Sequence, residues 1–156
     1  NKPLVAAVAG LAIGIGTTAL LHCDLVYAAD NARFQLPFTQ LGLCPEAGSS
    51  VLLPNLVGYQ RAAQFLLLGE AFGASDALQM GLVNQVVTGQ ELLALAEEKA
   101  AKLVALPADA VQSSKALLKR NAQTLTIDTI AAELVQFQRL LQSEPCQQSI
   151  SAFFKR

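Results

Sequence analysis

Tryptophan is absent from these 156 residues, histidine occurs once, and the cysteines Cys23, Cys44 and Cys146 stand far apart. One histidine and scattered thiols give no metal-ligand spacing, and an odd, dispersed set of cysteines makes no disulfide framework. Reduced, mostly packed thiols are expected. Charge is scarce as well: 15% of residues are charged, and the net charge is −1. With so little positive charge and no basic run interleaved with aromatics, nucleic acid is not an expected partner. There is no repeat and no low-complexity tract.

One long uncharged run needs separate treatment. Leu4 to Leu21 carries no charge, and Gly10 with Gly14 makes a GxxxG pair. Both features suit a transmembrane helix. Against that, Gly10, Gly14 and Gly16 crowd the middle of the run, two threonines follow, and Lys2-Pro3 lies just upstream. Buried Val/Ala-rich strands also lack charge. No membrane insertion is expected.

What is present is apolar substance: 53% of residues are hydrophobic, enough in a chain of this length for one domain with a real core. The chain opens on Asn1 and enters an apolar strand at once, which reads as the interior of a domain. Leu4 to Ala9 and Cys23 to Ala28 read as buried strands, with a short helix from Thr17 to His22 between them. Asp30-Asn31 is a turn, and Arg33 to Leu36 a short strand. A helix follows from Ala47 to Gly58, bent or ended near Pro54, and another from Tyr59 to Leu68, closed by Gly69. Ser75 reads as the N-cap of a helix over Asp76 to Met80, and Leu82 to Val87 returns to a sheet. The remainder reads as four helices: Gln90 to Leu103, Pro107 to about Arg120, Thr126 or Asp128 to Leu141, and Ser143 to Lys155. Two regions result, a strand–helix part over 1–88 and a helical part over 89–156.

Two stretches carry chemistry. Gly14-Ile15-Gly16-Thr17-Thr18 follows an apolar strand and opens a helix. Such a turn presents backbone N–H groups at the positive end of a helix, where an anion or a developing oxyanion is stabilised. Cys44-Pro45-Glu46-Ala47-Gly48-Ser49-Ser50 places one carboxylate, Glu46, at another helix entrance. A Pro-Glu at a helix start is usually no more than a favourable first-turn charge. Beside anion-holding amides, however, a lone carboxylate makes a proton-transfer site. His22 reads as a packed histidine, and Asp24 and Asp30 as caps or turns. Lys115 and Lys119 read as solvated helix charges, with contact to a ligand's phosphates as the alternative.

The order of these motifs is that of a known superfamily. Lys2-Pro3-Leu4-Val5-Ala6-Ala7-Val8-Ala9-Gly10, Ala12-Ile13-Gly14-Ile15-Gly16 and Cys23-Asp24-Leu25-Val26-Tyr27-Ala28 together resemble the crotonase (enoyl-CoA hydratase/isomerase) superfamily. Leu68-Gly69-Glu70, Ala74-Ser75-Asp76-Ala77, Gly81-Leu82-Val83-Asn84 and the ending Ser151 to Arg156 do so too. The resemblance implies an α/β fold: part of a spiral ββα core followed by helices used in trimerisation. It also implies an upstream segment carrying further core strands and a second oxyanion donor. Hydratases of the superfamily use two glutamates to orient a water, and the matching positions here are Thr18 and Phe38, neither of which is a base. Pro37-Phe38-Thr39-Gln40-Leu41-Gly42 and Pro45-Glu46-Ala47-Gly48-Ser49-Ser50 instead resemble the Δ3,Δ2-enoyl-CoA isomerase branch, in which one glutamate does the proton work.

From the resemblance follow the expected roles: Glu46 as acid/base, the Ile15 N–H as oxyanion donor, and Gly14, Gly16, Phe38, Leu41, Phe153 and Lys155 as substrate-binding residues. An acyl-CoA is then the substrate, no metal or redox cofactor is needed, and a homotrimer or a pair of trimers is expected in a bacterial cytoplasm. A hydratase and a non-catalytic acyl-CoA- or protein-binding module remain the competing readings.

Overall fold

The structure is a computed structural model describing residues 2–153, with only the backbone of Phe153 included. Strand β1 (Val5–Val8) pairs in parallel with β3 (Leu25–Ala29), and β3 pairs in parallel with β6 (Gln85–Val87). A second sheet joins β2 (Leu11–Ile13) in parallel to β4 (Arg33–Gln35), and β4 antiparallel to β5 (Phe72–Gly73). Val26 to Ala29 of β3 are all buried, as a central parallel strand covered on both faces must be. β2 instead alternates, with Ala12 inward and Leu11 and Ile13 outward.

Two strands of the first sheet step directly into the second: β1 through Gly10 into β2, and β3 through Asp30-Asn31 into β4. The two steps lie side by side, tied by the Arg33 N–H donating to the Gly10 carbonyl at 2.8 Å. After β2 comes the short helix α1 (Ile15–Thr18), continued by a 3-10 turn over Ala19–His22. After β4 comes a loop and then α2 (Ser49–Val57). The chain thus makes two ββα windings, and the loops that carry the two chemical stretches occupy equivalent places in each. The uncharged run Leu4 to Leu21 is accordingly β1, β2, α1 and half a turn, and among the described residues no helix is long and apolar enough to cross a membrane.

Helix α3 (Tyr59–Ala63) widens into a π turn over Gln64–Leu68 that stops at Gly69, and α4 (Ala74–Gln79) precedes β6. The cap of α4 is Gly73 rather than Ser75. The Asp76 carboxylate reaches back to the Gly73 N–H at 3.0 Å and fixes the start of the helix two residues earlier. The core centres on Phe34, Phe65 and Phe72, with the Phe34 and Phe72 rings stacked 5.4 Å apart and the Phe65 and Phe72 rings 4.4 Å apart. Each buried ring contributes about 1.5–3 kcal/mol relative to exposure.

Beyond β6 come α5 (Leu92–Val104), α6 (Ala108–Leu141) and α7 (Glu144–Phe153). The two helices expected over 107–120 and 126–141 are one 34-residue helix. No glycine or proline interrupts Ala108 to Leu141, and Thr129 spends its hydroxyl on the Leu125 carbonyl at 2.7 Å, within the helix. Helix α6 lies back against α2, so the helical region shares the site with the strand–helix region.

Candidate active site

Gly14 sits at φ 57°, ψ −119°, a backbone conformation closed to residues with a Cβ, although a Cβ there would meet nothing within 4 Å. Its glycine is therefore conformational: it reverses the chain between β2 and α1. Gly16 differs, since an added Cβ would come only to 3.8 Å from the Ala12 Cβ. The turn is anchored by the Gly14 N–H on the Gln35 carbonyl at 2.9 Å, while the Gly14 carbonyl accepts from the N–H groups of Thr17 and Thr18. The first N–H groups of a helix have no internal partner. Those of Ile15 and Gly16 find none among the described residues. Ile15 is 61% exposed, so its free N–H lies at an accessible surface.

The two threonines behind this turn divide the work. Thr17 donates to the Ala12 carbonyl at 2.5 Å and ties α1 to β2. Thr18, fully buried, donates its hydroxyl proton to Glu46 Oε1 at 2.5 Å. The residue at a hydratase carboxylate position thus holds the carboxylate of the other loop. No spacing in the sequence announced a contact across 28 residues.

Glu46 does not stand on a helix. Ala47 (φ 56°) and Gly48 (φ 74°) are both left-handed, so α2 begins at Ser49, two residues later than the sequence suggests. For an alanine this costs about 1–2 kcal/mol, and neighbouring contacts hold it. His22 Nε2 lies 2.7 Å from the Ala47 carbonyl oxygen, and Lys119 Nζ donates to the His22 carbonyl at 2.7 Å. From α6, Glu133 accepts from the Gly48 N–H at 2.6 Å, the Ser50 N–H at 2.9 Å and the Ser50 hydroxyl at 2.5 Å. A carboxylate brought from 85 residues away supplies the cap that Gly48 lacks. Sequence reading missed Glu133, and its place in the middle of a polar helix gave no signal.

The other expected site residues are distributed as follows. Phe38, 5% exposed, belongs to the core, so the second hydratase carboxylate position is filled by a buried ring. Leu41 is half-buried at the end of a 3-10 turn over Thr39–Leu41. Phe153 ends α7, and its side chain, like Lys155, lies outside the described residues. Lys115 and Lys119 are not free for phosphate: their ammonium groups lie 2.7 Å and 3.8 Å from the Asp24 carboxylate. Asp24 also accepts from the Leu4 N–H at 2.7 Å. Burial alone would raise its pKa, but the Lys115 hydrogen bond, the Leu4 N–H and the charge of Lys119 outweigh it and hold the carboxyl below its ordinary range. Burial pushes the Cys44 thiol up, with Glu133 adding to the effect, and it raises Cys23 with help from Asp24. Among the described residues no group of histidine, cysteine or acidic side chains could hold a metal.

An apolar cleft of about 560 Å³ borders the Glu46 turn, lined in part by His22, Leu52, Thr126, Ile127 and Ile130. Its walls close on Gly48, where an added Cβ would meet Thr126 Cγ2 at 3.1 Å and Ile130 Cγ1 at 3.4 Å. A turn with two unpartnered backbone N–H groups and one carboxylate stand on successive ββα windings, and those windings define a crotonase-like fold. The sequence profile of the enoyl-CoA hydratase/isomerase family matches residues 1–156, and the chain belongs to that family. It is 37% identical over 156 residues to the 2,3-dehydroadipyl-CoA hydratase of Escherichia coli K12, covering all of this chain and 61% of that protein. It is 35% identical over 155 residues to enoyl-CoA delta isomerase 2 of Rattus norvegicus, covering 99% of this chain and 40% of the relative. Among solved structures, Pseudomonas aeruginosa OdaA superposes with a TM-score of 0.96 at 42% identity, over 99% of this chain and 63% of the other.

Proposed function

We propose that the protein is an enoyl-CoA isomerase that moves a 3-enoyl-CoA double bond to the 2-trans position. The observation that carries this reading is the Thr18–Glu46 pair. Of the three positions where family members place carboxylates, only the third holds one here, and the first supports it. Hydration needs two groups to orient and deprotonate a water, whereas a double-bond shift needs one group and no water. Glu46 removes a proton from C2, the electrons delocalise onto the adjacent thioester oxygen and, through the C3=C4 bond, onto C4, and the protonated Glu46 returns the proton at C4, leaving the double bond between C2 and C3. No atom is gained or lost. The Ile15 N–H donates to the thioester oxygen as charge builds there; one such donor is worth about 3 kcal/mol in the transition state. The largely apolar cleft walled by Leu52, Ile127 and Ile130 suits an acyl chain.

Assembly as a trimer or a pair of trimers, through exposed apolar residues of α6 such as Leu117, Leu118 and Leu125, is part of the same proposal. So are a cytoplasmic location and a reaction without metal or redox cofactor. Hydration remains the second reading, favoured by the similarity to the E. coli hydratase. Assaying the intact protein on 3-enoyl-CoA and on 2-trans-enoyl-CoA separates the two. Isomerisation without net hydration is expected; hydration of the 2-enoyl substrate with no 3-enoyl turnover overturns the proposal, and acyl-CoA binding without either reaction assigns a silent module.

A further inference from the structure

We propose that Thr18 is the positioning residue of the site: its hydroxyl pins one oxygen of Glu46 so that the other alone performs both proton transfers. The inference deepens the isomerase reading and rests on it.

A buried threonine in a helix ordinarily returns its hydroxyl to the carbonyl four residues back. For Thr18 that is the Gly14 carbonyl, which already accepts from the Thr17 and Thr18 N–H groups at 2.9 and 3.0 Å. The hydroxyl instead crosses to the other loop and donates to Glu46 Oε1 at 2.5 Å. The carboxylate is half-buried, whereas Thr18 is wholly buried and cannot turn to solvent. Oε1 is therefore committed, and Oε2 is left to face a substrate.

The same four-residue helix begins with the Ile15 N–H and ends with Thr18. Three residues of helix separate them by about 4.5 Å along its axis. One short rigid element thus sets both the oxyanion donor and, through Thr18, the base. Thr17 locks that element to β2. In a site with a single base that must reach C2 and then C4, a freely rotating carboxylate would lose alignment for one of the two transfers. Displacement of about 1 Å is enough to cost two orders of magnitude in rate.

The test compares Thr18→Val, which keeps the shape and removes the hydroxyl, with Thr18→Ser, which keeps the hydroxyl. Both are made in the intact protein, with thermal unfolding as a check on folding. On 3-enoyl-CoA, Thr18→Val is expected to lower kcat roughly 10- to 100-fold while KM stays within about threefold, and Thr18→Ser to recover most of the loss. Wild-type kcat in the folded Thr18→Val protein, a rise in KM alone, or equal losses in both variants overturns the proposal. A second readout is exchange of the C2 hydrogen of 3-enoyl-CoA with deuterated water, which reports the first proton transfer alone. The same order of the three proteins is expected. If wild type exchanges without isomerising, the isomerase reading falls while the exchange order still decides the role of Thr18. If wild type does neither, both fall.

Discussion

Truncating Glu133 to alanine tests whether the helical region holds the Glu46 turn. Glu133 is 7% exposed and accepts three hydrogen bonds at the start of α2. Its removal leaves the buried Gly48 N–H without a partner. Hydrogen bonds to a charged group are worth about 1.5–3 kcal/mol each, and an orphaned buried donor costs about 1–3 kcal/mol. Ser50 is exposed, so its N–H and hydroxyl turn to water and lose only a fraction of their bonds. The missing negative charge at the N-terminus of α2 adds about 0.5 kcal/mol. Together these give a loss of about 3 kcal/mol for Glu133→Ala. Glu133→Gln keeps one acceptor oxygen and should lose about half as much. Urea unfolding of the intact protein measures both. The release of Ala47 from its left-handed conformation should also lower kcat, because Glu46 precedes it directly. A loss below about 1 kcal/mol, with unchanged dependence on urea and unchanged kcat, refutes the idea that α6 caps this turn.

Asp24→Asn probes the junction between α6 and the first sheet. A carboxyl held low when folded contributes stability that is present above its unfolded pKa of about 3.9 and lost as pH falls through the folded value. The variant should be less stable than wild type at pH 7, and thermal melts should show the gap closing as pH drops below about 4; a constant gap contradicts the ion-pair account. The two glycines of the turn between β2 and α1 should behave differently. Gly14→Ala forces a Cβ into a glycine-only conformation and should cost about 1–3 kcal/mol together with most of the turnover. Gly16→Ala meets only ordinary contact and should stay within about 0.5 kcal/mol of wild type in the same melts.

The sequence exposes this fold where local signals coincide with tertiary demand. The uncharged β1 and β3 are legible because a parallel strand covered on both faces has no polar side to show. Strand β2 is not, since three residues set between Gly10 and Gly14 are too few for an alternation to stand out from a glycine-rich turn. Thr126 and Asp128 resemble caps, yet capping residues end a helix only where the chain breaks, and nothing between Ala108 and Leu141 breaks it. At the site, Gly14-Ile15-Gly16 and Glu46 are readable because each lies within its own short motif. The partners that aim them are not. Thr18 reaches Glu46 across 28 residues, His22 reaches Ala47 across 25, and Glu133 reaches Gly48 across 85. The left-handed Ala47 is invisible for a related reason, because only its tertiary contacts offset the strain.

The central claim is that one carboxylate carries the proton. The most direct measurement is turnover of 3-enoyl-CoA by the intact protein and by its Glu46→Gln variant, with acyl-CoA affinity determined for both. The account predicts a fall in kcat of about 10²–10⁴-fold, the usual worth of general acid–base catalysis, with affinity unchanged. Equal turnover in the two proteins would contradict it and place the base elsewhere.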